Sequence, residues 1–417
     1  MANVQSVDRG FFPLDEELKL LPGILTPHGH ESLVRLSSWM PFEKAVELLG
    51  ELMGIEVSRL VGQRYTEEAG AAYERLQTEE VERIEREMPA APAAGADKLQ
   101  MSVDGAMVPL VHGQWAEVRT VVIGEVQPMV EEREEWVVHT KNLSYFSRKV
   151  SAQEFERLAL VEIQRRGVEN AKQVGAVMDG AEWEQGFVDY HRPDALRILD
   201  FPHAGEHISP IGEFLYGDGS PEMKHWISYR LHQLKHEGPA GLLAEFRDLQ
   251  KQHPDEKAVT GNLAYLEKRE GQMQYPIFQA QGWPIGSGIV ESGNKLVVEA
   301  RLKGSGMHWV EANVNSMLAL RNILCSDRWK EDWPEIEMQL RQHRFQQRRE
   351  LHQSRIEQKA LITPRIIPLS LAVVDDPTVP VSPETKHLVF PQKPKENPWR
   401  KFKYGRSLYQ RKYPPKN

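Results

Sequence analysis

Between residues 99 and 201 the chain runs through three strand-like segments, then helix, strand, helix and strand, an order that few folds accommodate. LQMSVDGAMVPL (99–110), QWAEVRTVVIGEVQPM (114–129) and EEWVVHTKNLSYFSR (134–148) are rich in β-branched and aromatic residues. His112 and Gly113 supply a turn between the first two. SAQEFERLALVEIQRRG (151–167) carries apolar residues at helical spacing. AKQVGAVMDG (171–180) reads as a short buried strand, AEWEQGFVDYH (181–191) as a helix, and ALRILDF (195–201) as another buried strand.

This order predicts an α/β protein, a mixed sheet flanked by helices, with the succession of an RNase H-like core. The flanks divide the rest. Residues 1–90 predict a helical N-terminal domain, helix-turn-helix-like where Gly54 and GIEVS separate two helices. Such hairpins more often bind nothing than bind DNA. Residues 91–98 form a Pro/Ala/Gly linker, 99–211 the first part of the core, and 212–282 a helical insertion. Residues 283–345 are expected to return to the core with a Glu-bearing helix, and 346–417 to form a basic, Pro-rich tail.

Composition narrows the chemistry. One cysteine, Cys325, cannot build a disulfide framework or a Cys-rich zinc site, and there is no HExxH. Any metal is then expected on carboxylates. There is no Walker loop, GxSxG or dinucleotide fingerprint. No apolar run is long enough for a bilayer, and the start lacks the pattern of a secretory signal, so a cytoplasmic location without membrane partners is expected. The net charge of −8 argues mildly against nucleic acid, but acids crowd into 66–88 and 131–135 and bases into 341–350 and 393–416.

Three carboxylates carry the functional reading. Asp104 interrupts an apolar strand, where carboxylates are disfavoured; the alternative is an Asp-Gly turn. Asp179 ends a short apolar run before a helix, where it could bind a ligand or cap the helix. Both open an Asp-Gly-Ala triplet. Glu291 lies on a helix among Gly286, Ser287, Gly288, Ser292 and Gly293. These small residues weaken a helix but let a phosphate backbone approach; the alternative is a solvated acid. Together the three can converge on one cleft and hold two Mg²⁺ ions about 4 Å apart for phosphodiester displacement, with Mn²⁺ as a substitute. Asp200, His203 and His207 follow the next strand. They suit a supporting role beside the metals, a structural role or, lacking a third ligand, a poor zinc site.

At these residues the chain resembles the bacterial insertion-sequence DDE transposases of the ISKra type. The likeness rests on GFFPLDEEL, VDGAMVPL, VMDGAEW, LDFPHAGEHI and PIGSGIVESGNKLVVEARLKGSGMHW, with NVNSMLALRN and RW behind it, and runs from about Gly10 to Trp333. The resemblance implies an RNase H-like catalytic domain with a helical insertion, cleavage at terminal inverted repeats and strand transfer to a target. It places the acidic triad on Asp104, Asp179 and Glu291. Asp200-Phe201-Pro202-His203 is similar to the Asp-x-x-His motif of related groups. Members of the group carry a Cys-rich segment ahead of GFFPLDE; MANVQSVDRG stands in that place here, so full recognition of element ends is in question.

Lys295, Arg301 and Lys303 are expected to meet DNA backbone, and Trp309 or Trp283 an unpaired base, although Lys295 could simply pair with Glu291. Arg400, Lys401 and Lys403 lie among aromatics in the tail and suggest a DNA-binding arm. The expected partners are element ends and target DNA, with at least a dimer assembled on paired ends. The alternatives are a disabled remnant, a related nuclease, or a non-enzymatic DNA-binding protein.

Overall fold

The computed structural model describes residue 21 and residues 23–132 and 135–362. Residues Met1–Ile356 group into one compact unit; of the second, Glu357–Asn417, only the residues to Ile362 are described, as the end of a helix. GFFPLDEEL, Arg400, Lys401 and Lys403 lie outside the described residues. Among the described residues no helix is long and apolar enough to cross a membrane.

Among the described residues three helices come first: α1 (Pro27–Trp39), α2 (Phe42–Met53) and α3 (Arg59–Glu87). Gly54 ends α2 in the left-handed region, and the Ser58 side chain caps α3. These helices do not form a core of their own. Leu33, Leu49, Tyr65, Ala69 and Tyr73 share one apolar cluster with Ala319, Leu320, Ile323, Trp329 and Trp333 from the far end of the unit.

The sheet follows. β1 (Lys98–Pro109) and β2 (Trp115–Val126) are antiparallel and joined at Val111–Gly113, where His112 has φ +64°. The third expected strand divides. Val130–Glu132 (β3) and Glu135–Val137 (β4) make a separate two-stranded ribbon, and only Thr140–Arg148 (β5) joins the main sheet beside β2. α4 (Ala152–Arg165), β6 (Gln173–Met178), α5 (Glu182–His191) and β7 (Leu196–Leu199) complete the pattern. The order is β5-β2-β1-β6-β7, with β6 and β7 parallel to β1. The result is an α/β protein whose mixed five-stranded sheet is flanked by helices, compatible with an RNase H-like core.

Each face of the sheet buries a different partner set. Met101, Val103, Val121 and Phe146 pack with Phe155 and Phe187 of α4 and α5. Val108, Val118, Val122 and Tyr145 pack with Val290, Val297, Val298 and Leu318 from the C-terminal helices. The insertion is all helical among its described residues: α6 (Phe201–Tyr216), α7 (Pro221–Glu237), α8 (Pro239–Gln252), α9 (Lys257–Lys268) and α10 (Tyr275–Ala280). Its core runs into the sheet edge, since Leu242, Leu263 and Phe278 cluster with Val177 and Ile198.

The Glu-bearing segment is not one regular helix. α11 (Gly288–Gly293) widens into a π-helical stretch (Asn294–Glu299) before α12 (Ala300–Leu302). α13 (Glu311–Cys325) and α14 (Trp329–Ile362) follow. α14 runs well past residue 345, where the tail was expected to begin; RQHRFQQRRE is helical.

Candidate metal centre

Strand register builds the site. β1 and β6 pair in parallel as far as Met101↔Ala176. Carried three residues on, that register sets Asp179 beside Asp104. β6 and β7 pair at Met178↔Leu199, so Asp200 comes next in the same row. The Asp200 N–H donates to Met178 O at 2.8 Å. Asp179 and Asp200 thus stand just past the carboxyl ends of β6 and β7, where an open α/β sheet presents ligand sites, beside Asp104 in the middle of β1. Asp104 pairs with Thr120 within the β1–β2 ladder, so the Asp-Gly turn reading fails: the turn is at His112-Gly113.

The row is not equivalent along its length. Asp104 and Asp179 are half-buried, and oxygens of Asp104, Asp179 and Glu184 all lie within 4.8 Å of one another. Asp104 accepts from the Gly105 N–H at 2.6 Å and from the Asn294 amide at 2.9 Å. Asp179 accepts from the Ala181 N–H at 2.7 Å. Glu184, fully buried in the first turn of α5, accepts from the Gly180 N–H at 3.1 Å through one oxygen; the other has no hydrogen-bond donor. Burial, and then contact with Asp179, pushes the Glu184 carboxyl up to about 10. Burial, with Asp179 and Glu291 adding to it, raises Asp104 to about 6.

Carboxylates this close in a low-dielectric setting need a proton or a cation between them. Asp104, Asp179 and Glu184 could hold a metal ion, and an all-oxygen donor set suits a hard divalent cation.

Glu291 stands apart from this group. It is exposed, and the Ser287 hydroxyl donates to it at 3.3 Å. Its helix is nonetheless docked on the site by two contacts. Asn294, three residues on, reaches Asp104, and the Ser287 N–H donates to Asp200 at 2.6 Å. Gly293 explains the close fit: a Cβ there would stand 2.7 Å from Val122 and 3.1 Å from Tyr145. This glycine therefore has a packing return, contrary to its reading as room for phosphate alone. The π-helical stretch has a local cause as well. Buried Arg321 donates to the carbonyls of Leu296 and Val297, which the wide turn leaves available.

Asp200 is occupied as a joint. One oxygen holds Ser287 and the other caps α6 by accepting from the His203 N–H at 3.1 Å. His203 lies 3.0 Å from Glu206. His207 bonds Asn262 at 2.8 Å and stacks on Tyr265 at 3.6 Å. Neither histidine belongs to the metal-competent group of the described residues, so the zinc reading has no geometric support.

Three residues expected at DNA are interior. Arg301 is 1% exposed; its Nε donates to Ser37 O at 2.8 Å and its guanidinium lies over Phe42 and Trp309. Trp309 is buried and donates to Leu302 O. Trp283 is also buried, under Lys98. Flexible glycines nearby suggested exposure, but aromatic faces and backbone carbonyls claimed these side chains instead. Lys303 is exposed beside Glu299, and Lys295 is exposed; among the described residues no ion pair joins it to Glu291.

Sequence reading passed over Glu184, Asn294, Tyr265 and Arg269. Glu184 did leave a signal, an acid in the first turn of the helix after Asp179, where reaching back to free N–H groups is common. Asn294 sat inside the quoted ESGNK stretch without a role. Tyr265 and Arg269 touch Asp179 and Gly180 across more than 80 residues of chain, and no local pattern announces that.

No protein-family model matches this chain, and no curated protein matches it.

Proposed function

We propose that the chain is a DNA transposase of the DDE type, in which Asp104, Asp179 and Glu291 hold two Mg²⁺ ions, or Mn²⁺, at a scissile phosphodiester. The observation that carries this reading is the meeting of Asp104, from the middle of β1, with Asp179 at the end of β6, beside a helix that Asn294 ties to Asp104. The sheet order supports an RNase H-like core.

Divalent ions bound there would activate the attacking oxygen, water first and a DNA 3′-OH later, and stabilise the leaving one. The chain's own groups prepare the acids for that load. Asn294 and the Ala181 N–H orient Asp104 and Asp179. Ser287 orients Glu291. Glu184 sits behind Asp179, out of water. Exposed Lys295 and Lys303 are available to phosphate. The substrates in this reading are element ends and a target duplex, bound by at least two copies.

The crowding of Asp104, Asp179 and Glu184 favours one other reading, a nuclease holding a single ion without Glu291. Labelled duplexes from the DNA flanking the gene, incubated with Mg²⁺ or Mn²⁺, test both. Cleavage at a fixed terminal position followed by joining, lost in Asp179→Ala and Glu291→Gln, is the expected result. Nicking that survives Glu291→Gln and never leads to joining selects the nuclease. Firm DNA binding with no cleavage under either metal would sink both.

A further inference from the structure

The turn that carries Asp179 is gripped from behind by the helical insertion. Resting on the metal-site reading above, we infer that Tyr265 and Arg269 are positioning residues that set the Asp179 and Glu184 carboxylates for cation binding.

The case lies in two peptide planes. The Asp179–Gly180 peptide presents its N–H to Glu184 and its carbonyl to the Tyr265 hydroxyl, which donates to it. The Gly180–Ala181 peptide presents its N–H to the Asp179 carboxylate and its carbonyl to Arg269, which donates through Nε at 3.2 Å and also through Nη2. A peptide unit is rigid and planar, so fixing its oxygen fixes the direction of its N–H. Each plane is therefore held at both edges, by an acid of the site on one side and by the insertion on the other.

The grip is itself well supported. The Arg269 guanidinium lies 3.7 Å from the Tyr265 ring centroid, and His207 stacks on that ring at 14° between planes. Arg269 is 7% exposed and also donates to Tyr265 O. Gly180 has φ +89°, and a Cβ there would fall 2.4 Å from Arg269 Nε. A side chain at 180 would thus be strained and would displace the arginine. The three stacked side chains come from α6, α9 and the residue that follows α9, so the insertion shapes the metal site without supplying an acid to it.

Two measurements on the full chain test the inference. The first is hydrogen exchange of the Gly180 and Ala181 amides in metal-free protein. The second is the Mn²⁺ dissociation constant by titration calorimetry. Tyr265→Phe keeps the ring and the stack and removes only the donor. It should speed exchange at these two amides, leave β6 unchanged, and weaken Mn²⁺ about fivefold, the loss of one hydrogen bond. Arg269→Gln should weaken Mn²⁺ more than tenfold, as a charged donor is lost. Tyr265→Phe keeps the test decisive where the buried arginine variant fails to fold. Unchanged exchange in Tyr265→Phe overturns the inference. Faster exchange with unchanged Mn²⁺ affinity overturns the positioning role and leaves scaffolding. Faster exchange, with wild-type Mn²⁺ binding that survives Asp179→Asn, refutes the metal-site reading while the grip stands.

Discussion

The helical segment from Gly288 to Leu302 separates two buried sets of charge that behave in opposite ways. On its Asn294 side, Asp104, Asp179 and Glu184 crowd together without a Lys or Arg ion pair among the described residues, and one Glu184 oxygen finds no donor there. At its C-terminal end and beyond it, Arg301 and Arg321 are buried with no carboxylate ion pair among the described residues, yet they are largely satisfied. Arg321 donates to Ser38 O, Val297 O and Leu296 O and lies over Trp39. Arg301 bonds Ser37 O between two aromatic rings, with only its Nη2 lacking an acceptor. Burying a charge costs free energy in both places. Where protein groups compensate it, the charge holds the fold. Where carboxylates crowd together instead, the group could hold a cation.

Substitutions on the two sides should therefore move different observables. Arg321→Met should have the largest effect, a loss of about 3–5 kcal/mol of stability in chemical denaturation, because it orphans three carbonyls. An unchanged unfolding midpoint would erase the distinction. Asp179→Asn should cost at least about 100-fold in Mn²⁺ affinity by calorimetry. It should leave the metal-free protein as stable as wild type or more so, since it relieves like-charge crowding; marked destabilisation would make this aspartate structural. Asn294→Ala should weaken Mn²⁺ by about tenfold and cost about 1 kcal/mol in unfolding, since the same hydrogen bond orients Asp104 and docks the helix.

A further test sharpens the comparison through pH. Glu184 and Asp104 are raised above their ordinary values, to about 10 and about 6. A raised acid in the folded state contributes stability that is fully present below its ordinary pKa and is lost as pH climbs through the folded value. Metal-free wild type should thus lose stability relative to Glu184→Gln between pH 4 and pH 8. Thermal unfolding should show the two alike at pH 4 and the variant the more stable by pH 8. A gap that fails to open between pH 4 and pH 8 would mean that Glu184 is ionised in the fold.

Much of this was legible in the chain, and particular residues show why. The strand order was written in local apolar patterning, so the α/β class and the strand-end place of Asp179 could be read, whereas Asp104 lies inside β1 rather than at its end. The turn at His112-Gly113 carried its own chemistry. The ribbon of β3 and β4 could not be separated from β5, because EEWVVHTKNLSYFSR has one continuous strand composition. Arg301 and Trp309 were read as exposed because a basic and aromatic stretch beside glycines looks the same in sequence whether it faces water or Phe42.

By itself the sequence determined that Asp104 interrupts one strand and that Asp179 and Asp200 follow two others. It also determined that carboxylates rather than thiols would have to bind any metal. Only the tertiary structure decided that Glu184 joins Asp104 and Asp179, that Glu291 stands outside them, and that the insertion grips the Asp179 turn. The reason is physical. Strand and helix patterns are encoded by neighbours a few residues apart. Whether a charge is compensated depends on groups that folding brings from as far as Ser38 to Arg321.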